Sequence, residues 1–150
     1  MRNYWLLLSL IFILTRCVPP TEEKFSGVNV DITNPEIQAL YDLQNKGLTD
    51  SLLPYFRHKN PTYRYLSALA FASIKDSLAV KNLWRLLLDP VDEVRIAAAY
   101  SLGQIGHPSA QDSLLGAFDR NDTVGVSRFF NAAIMEAIGK CGTDNMLDAL

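Results

Sequence analysis

Apolar and small side chains recur at helical spacing most clearly between residues 92 and 118. Five of them fall at i, i+4, i+7, i+8 and i+11, which places them on one stripe of an α-helix: Val94, Ala98, Ser101, Leu102 and Ile105. After a short gap a second set keeps helical spacing: Ala110, Leu114, Leu115 and Phe118. The pattern predicts two short antiparallel helices that form a hairpin.

The ends of the first helix are marked by residue types that begin and end helices. Asp89 supplies an acceptor side chain just before it, and Asp92 adds negative charge to the first turn. At the other end, Gly103 lowers the helix propensity, and Gly106 provides the positive φ that a helix stop often needs. We therefore expect the helix to end near Ile105.

Fainter copies of this hairpin stand before and after it. A shift of 31 residues towards the N-terminus matches five pairs: Arg64 with Arg95, Ala68 with Ala99, Ile74 with Ile105, Ala79 with Ala110 and Leu83 with Leu114. A shift of 36 residues towards the C-terminus matches five more: Ala133 with Ala97, Ile138 with Leu102, Gly139 with Gly103, Gly142 with Gly106 and Leu150 with Leu114. The extra residues fall in a polar loop near residues 119–126, where an insertion costs little. Upstream, Asn34 opens a further helix that Gly47 ends, so the pattern predicts about four hairpins.

One stretch closely resembles the HEAT repeat, in the short variant first described in phycobilisome lyases: Asp92-x-Val94-Arg95-x-x-Ala98-x-x-Ser101-Leu102-Gly103-x-Ile105-Gly106. The family pattern usually has alanine where Ser101 stands. The resemblance weakens over the rest of residues 35–150, and in the last unit Arg128 replaces the leading acid and Asn131 the arginine. It implies an all-α, right-handed α-solenoid of about four HEAT-like hairpins with a surface for protein interaction.

The resemblance also assigns roles to individual residues. In HEAT repeats an acid and an arginine commonly link adjacent units, which implies structural roles for Arg64, Asp92 and Arg95. Gly103 and Gly106 are interpreted as helix punctuation. Because the second helices of HEAT stacks line the concave face, five polar residues there are the binding candidates: Lys81, Asn82, Arg85, Gln111 and Asp112.

The N-terminus has a different pattern. Leu6 to Leu14 are apolar except for Ser9, a run that is too short to span a bilayer, which needs about 20 residues, and that has the form of a signal peptide. The sequence Leu14-Thr15-Arg16-Cys17 resembles the lipobox of bacterial lipoproteins, which implies lipidation of Cys17 and removal of residues 1–16. Arg16 departs from that pattern, where glycine, alanine or serine is usual. An uncleaved short anchor and a chance cysteine in an ordinary signal sequence therefore stay open as alternatives.

Residues 17–34 contain prolines and charges and have no helical apolar stripe, so they are predicted to form a flexible tether. Within them Val28, Val30 and Ile32 alternate, which favours a brief extended segment docked on the first repeat. Residues 35–150 are the predicted repeat domain. The implied localisation is the bacterial cell envelope, with lipid on Cys17 holding the chain at a membrane.

Charge and motifs exclude several classes of function. Two of the 14 Lys and Arg residues and none of the 16 Asp and Glu residues precede Cys17, so residues 17–150 carry a formal charge of −4. This acidity argues against nucleic acid as a partner. Neither His58 nor His107 has a second ligand at metal spacing, and we expect no metal, no cofactor and no catalytic residue. Cys141 aligns with Ile105 and is expected to be a small buried apolar residue.

The last predicted helix begins near Thr143 and reaches Leu150, which aligns with the core residue Leu114. Since a solenoid ordinarily finishes in a capping repeat with a polar face, two interpretations are open. Either the chain is a truncated product of a longer array, or a partner or a second copy covers this end and makes a homo-oligomer.

The leading functional hypothesis is a lipid-anchored, non-catalytic envelope protein that binds a protein partner through its repeats. The alternatives are an enzyme-accessory or lyase-like activity in the concave groove, and a fragment of a longer HEAT-repeat protein.

Overall fold

A computed structural model describes residues 27–142, which contain α-helices and no strand. The seven helices are α1 (Pro35–Asn45), α2 (Thr49–Leu52), α3 (Pro61–Ile74), α4 (Val80–Leu86), α5 (Asp92–Ile105), α6 (Gln111–Ala117) and α7 (Arg128–Cys141). Short 3-10 turns adjoin the three shorter helices, at Leu53–Arg57, Ser77–Ala79 and Pro108–Ala110. The helices form three hairpins, α1–α2, α3–α4 and α5–α6, and α7 is the first helix of a fourth. The all-α solenoid prediction is confirmed, while the predicted last helix at residues 143–150, with its exposed end, lies outside the described part.

The first helices of successive hairpins run parallel and in register. Helices α3, α5 and α7 are each 14 residues long, and they begin 31 and 36 residues apart, as the sequence shifts predicted. Tyr63 Oη donates to Glu36 Oε2 at 2.7 Å near the N-terminal ends of α3 and α1. Gln44 Nε2 donates to Ser73 Oγ at 3.0 Å near their C-terminal ends, so these two helices point in the same direction.

This parallel arrangement gives the stack two different edges. The N-terminal ends of α1, α3, α5 and α7 lie at one edge, together with the chain that precedes each of them. We call this the inter-hairpin edge, and it comprises residues 27–34, 57–60, 87–91 and 118–127. The tight turns inside the hairpins lie at the opposite turn edge, at residues 46–48, 75–78 and 106–109.

Most helix ends follow local rules. Asn34 Oδ1 accepts from the Glu36 amide at 2.8 Å, and Asn60 Oδ1 accepts from the Thr62 amide at 2.9 Å, so side chains cap α1 and α3. Gly106 ends α5 with φ of +67°, as expected. The prediction for the start of α5 was wrong in one respect. Its N-cap is Val91, without a side-chain hydrogen bond, because Asp89 lies two residues earlier and accepts from the amide of Val91 itself.

The core is one continuous row of side chains between the first and second helices. Its largest fully buried members come from every hairpin: Leu40, Leu52, Phe71, Leu83, Val94, Leu102, Leu114 and Ile134. Burying a side chain of this size stabilises a fold by about 1.5–3 kcal/mol relative to leaving it exposed. Cys141 extends the row, as predicted, and burial raises the pKa of its thiol.

Gly103 has a different role from the one that the sequence suggested. It lies inside α5, where a Cβ added to it would fall 2.8 Å from the Cα of Ala137 on α7. Beside it, Ser101 Oγ donates to the carbonyl of Ala68 on α3 at 2.7 Å. Gly103 therefore permits close approach of two first helices and does not end the helix, since it lies before the stop at Gly106.

The segment of residues 27–33 runs along the inter-hairpin edge. Gln38 Nε2 donates to the Ile32 carbonyl at 3.0 Å, which is the predicted docking on the first hairpin. The segment continues further than expected. Asn29 exchanges two hydrogen bonds with Thr62 Oγ1 at the start of α3, at 3.0 and 3.1 Å. A Cβ on Gly27 would lie 2.7 Å from Val91 Cγ1, so the segment reaches the start of α5.

Candidate functional site

The arginine expected to link adjacent units does so, but with a different acid. Arg64 on α3 forms two hydrogen bonds with Asp89, from Nε at 2.6 Å and from Nη2 at 2.9 Å. Its Nη1 also donates to the carbonyls of His58 and Lys59, at 2.8 and 3.0 Å. Asp89 is buried and lies in the loop that leads to α5, and it accepts from the Val91 amide as well. Arg64 therefore joins the loops on both sides of the second hairpin.

The equivalent arginine on α5 makes a different link. Arg95 pairs with Asp92 one turn earlier in the same helix, and its guanidinium lies 5.1 Å from the centre of the Phe130 ring on α7. The contact with the next hairpin is thus a cation–π interaction. These residues, with Gly103 and Gly106, assemble the stack. The candidate binding site therefore lies on another part of the described surface.

The second helices form a surface that contains a groove. Between α4 and α6 a groove of about 360 Å³ is lined by Trp84, Leu87, Leu88, Asp112, Ser113 and Gly116. A second hollow of about 440 Å³ adjoins it at the turn edge, where Leu78, Lys81 and Ser109 join Trp84 and Ser113. We call the two together the Trp84 groove, because Trp84 and Ser113 line both.

Trp84 is the dominant side chain of this groove. It is 42% exposed, although tryptophan side chains are highly buried on average. Leu78 and Leu88, towards the two ends of the groove, are exposed as well. Gly116 leaves open space on the α6 side, since no atom of residues 27–142 lies within 4 Å of a Cβ placed there. The groove therefore has an aromatic side chain on one wall and a smooth opposite wall.

The structure places the five predicted binding residues in different surroundings. Lys81 and Asp112 line the Trp84 groove, one on each helix. The remaining three lie on the same two helices without lining it: Asn82, Arg85 and Gln111.

Trp84 was not among the predicted binding residues, although the sequence contains a signal for it. The buried residues of α4 are Val80, Leu83 and Leu86. Trp84 falls out of phase with them and shares a stripe with Lys81 and Leu88, at i, i+3 and i+7. A large aromatic residue in phase with a lysine on a helix face marks a surface position.

The groove has a simple electrostatic character. It carries one cation and one anion, Lys81 and Asp112, with hydroxyl groups between them. Next to its end at the turn edge, the backbone amide of Leu78 and then the Thr49 hydroxyl lower the pKa of Asp76 by donating to its carboxylate. Over residues 27–142, no three His, Cys, Asp or Glu side chains are grouped as metal ligands. Nor is any helix in that part long and apolar enough to cross a membrane.

Comparison with known protein families finds a match to part of the described chain. A family model for HEAT repeats matches residues 49–127, which include α2 to α6 and the loop before α7. The matched region thus contains the whole Trp84 groove and the Arg64–Asp89 pair. A comparison with curated proteins finds no significant match.

Proposed function

Because this chain belongs to the HEAT-repeat family, whose repeats act as protein-interaction scaffolds, we propose that it binds a protein partner through the Trp84 groove and is not itself an enzyme. The observation that carries the proposal is the half-exposed Trp84 between two second helices. Tryptophan is enriched among the few residues that supply most of the binding energy at protein interfaces.

The groove suits a partner segment that inserts apolar side chains. Leu78, Trp84 and Leu88 offer apolar contacts along its length, while Lys81 and Asp112 can pair with charges at its margins. An apolar centre with a polar rim is the ordinary composition of a protein interface. The same surface is poorly suited to catalysis, because its titratable groups do not converge on one point.

Lipid anchoring is the second part of the proposal. The signal-like stretch before Cys17 supports export, and the lipobox-like residues support diacylation of Cys17 in the bacterial cell envelope. Two acyl chains would make the attachment stable, whereas one alone gives only marginal membrane affinity. The anchored protein would then present the Trp84 groove to a partner in the envelope.

The groove is tested by quantitative co-purification from envelope extracts. Trp84→Ala is compared with Tyr100→Ala, because Tyr100 is exposed to the same 42% but lies on a first helix. We expect Trp84→Ala to weaken recovery of the bound protein about 30-fold, the effect of losing an interface residue that contributes about 2 kcal/mol. Equal losses in the two variants, or none in Trp84→Ala, would contradict the proposal.

The anchor is tested by mass spectrometry of the mature N-terminal peptide. We expect the peptide to begin at Cys17 and to carry the mass of the attached acyl chains. An unmodified Cys17 inside an intact leader would refute the anchor and leave the groove proposal standing.

A further inference from the structure

The most exposed large apolar side chains are concentrated at the inter-hairpin edge. Within residues 27–142, six such residues are at least 65% exposed, and five of them lie there: Ile32, Leu88, Val124, Val126 and Phe129, the last in the first turn of α7. The sixth, Leu78, lies at the turn edge. Five aliphatic and aromatic side chains on one edge, none of them used by the core, indicate a surface that meets something apolar.

The loop before α7 is built to hold its apolar side chains outward. Asp122 accepts hydrogen bonds from the Val126 amide at 2.9 Å and from the Ser127 amide at 2.7 Å. Asn131 on α7 holds both the amide and the carbonyl of Asp119, at 3.0 and 2.9 Å. The Asp119 carboxylate accepts from the Asn121 amide at 3.1 Å and from the Ser127 hydroxyl at 3.2 Å, so both carboxylates of the loop bond to the loop itself. Val124 is left 86% exposed at the tip of a loop with a fixed shape.

Cationic side chains accompany these apolar residues. Arg120 and Arg128 are exposed on either side of the loop tip, and the Arg128 guanidinium lies 4.6 Å from the centre of the Phe129 ring. Lys59, in another loop of the same edge, is exposed as well. Apolar tips with arginine and lysine beside them are the composition that binds the interface of an anionic bilayer.

The same edge is where the chain arrives from Cys17. Residues 27–33 lie along it, and Gly27 packs on Val91. Ten residue steps separate Cys17 from Gly27, so the chain between them spans at most about 36 Å when fully extended. A lipid on Cys17 would therefore attach the protein to the bilayer through this edge.

From these observations we infer that the inter-hairpin edge rests on the membrane surface, with Val124, Val126 and Phe129 inserted at the boundary between head groups and acyl chains. The inference rests on the lipid anchor of the proposed function. In this orientation the first helices extend from the inter-hairpin edge away from the bilayer, and the turn edge lies farthest from the membrane. The Trp84 groove then faces sideways, where a partner standing on the same membrane can reach it.

The test uses the full lipidated protein in vesicles of phosphatidylethanolamine and phosphatidylglycerol, with a fluorescent amino acid at position 124. The matched control carries it at position 78, because Leu78 is also strongly exposed but lies at the turn edge. Lipids brominated in the acyl chains quench only a fluorophore that reaches them. We expect loss of fluorescence at position 124 and none at position 78. Equal quenching at both positions, or none at position 124, overturns the inference.

A second variant shows whether the apolar tip causes the contact. With the fluorophore at position 129, Val124→Asp with Val126→Asp should reduce the quenched population about tenfold or more, while Leu78→Asp should leave it unchanged. Unchanged quenching in the double variant overturns the role of the tip. If emission at position 129 instead follows protein density in unbrominated vesicles, the edge joins copies of the chain and the inference fails.

Mass spectrometry of the same preparations separates this inference from the anchor. A lipidated Cys17 with no quenching at position 124 refutes the membrane-resting edge and leaves the anchor intact. An unmodified Cys17 refutes the anchor and, with it, this orientation.

Discussion

The layer of first helices and the layer of second helices use their residues in opposite ways. In the first layer, Arg64 bonds the next loop, Ser101 bonds the preceding helix and Gly103 admits the following one. In the second layer, Trp84 stands where Leu115 stands one repeat later, and it remains half-exposed. The first layer therefore uses its polar and small residues to assemble the stack. In the second layer, Trp84 departs from its counterpart Leu115 and marks the surface that is available for binding.

The largest effect on stability should come from breaking the link between hairpins at Arg64. Arg64→Ala leaves the buried carboxylate of Asp89 without its cation, and we expect a loss of about 3 kcal/mol in the free energy of unfolding. Arg85→Ala, which removes an exposed arginine from the second layer, should change it by less than about 0.5 kcal/mol. Urea denaturation measures both. Similar losses of unfolding free energy in the two variants would contradict the different roles of the two layers.

Next in size is the close approach at Gly103. Gly103→Ala places a methyl group 2.8 Å from the Ala137 Cα and should destabilise the fold by about 2 kcal/mol, although alanine favours helices. Gly139 holds the equivalent position in α7, but no atom of the described residues lies within 4 Å of a Cβ added there. Gly139→Ala should therefore stabilise the protein by about 0.5–1 kcal/mol. A shift of the urea midpoint in the same direction in both variants would contradict the different packing inferred for Gly103 and Gly139.

A smaller loss is expected at Ser101. Removing its hydroxyl in Ser101→Ala deletes one buried hydrogen bond to Ala68 and should cost about 1 kcal/mol in the free energy of unfolding. Ser113→Ala in the Trp84 groove is the control from the second layer, and it should be neutral to within about 0.5 kcal/mol. Calorimetry of the two variants checks this, and a neutral Ser101→Ala would show that the bond contributes nothing.

Trp84→Ala should destabilise the fold less than Arg64→Ala, Gly103→Ala or Ser101→Ala, and it should have the largest effect on binding. Trp84→Ala removes a side chain that is already half in solvent, so we expect a loss of less than about 1 kcal/mol in the free energy of unfolding. Circular dichroism of the urea transition measures it alongside the co-purification described above. A loss as large as that of Arg64→Ala would make Trp84 a core residue.

The sequence predicted the features of this fold that depend on local spacing. The helical period and Gly106 predicted that α5 ends near Ile105, and Asn34 predicted the start of α1, because each signal acts within a few positions of itself. The register between these helices followed from the shifts of 31 and 36 residues.

Features that depend on distant contacts escaped prediction. The partner of Asp89 lies 25 residues earlier, and the need for glycine at position 103 arises from a helix that begins 25 residues later. The docking of Asn29 on Thr62 likewise joins positions that no helical period connects. Trp84 was missed for another reason. The binding candidates on the second helices were chosen among polar residues, so a tryptophan on the same surface was not considered.

Site-specific photo-crosslinking in the cell envelope tests the central claim most directly. A benzophenone amino acid replaces Trp84 in one protein and Tyr100 in the other, two positions of equal exposure on opposite layers. Irradiation should attach a partner protein at position 84 and leave position 100 without a product. A partner attached at position 100 and absent at position 84 would contradict the assignment of binding to the second-helix layer.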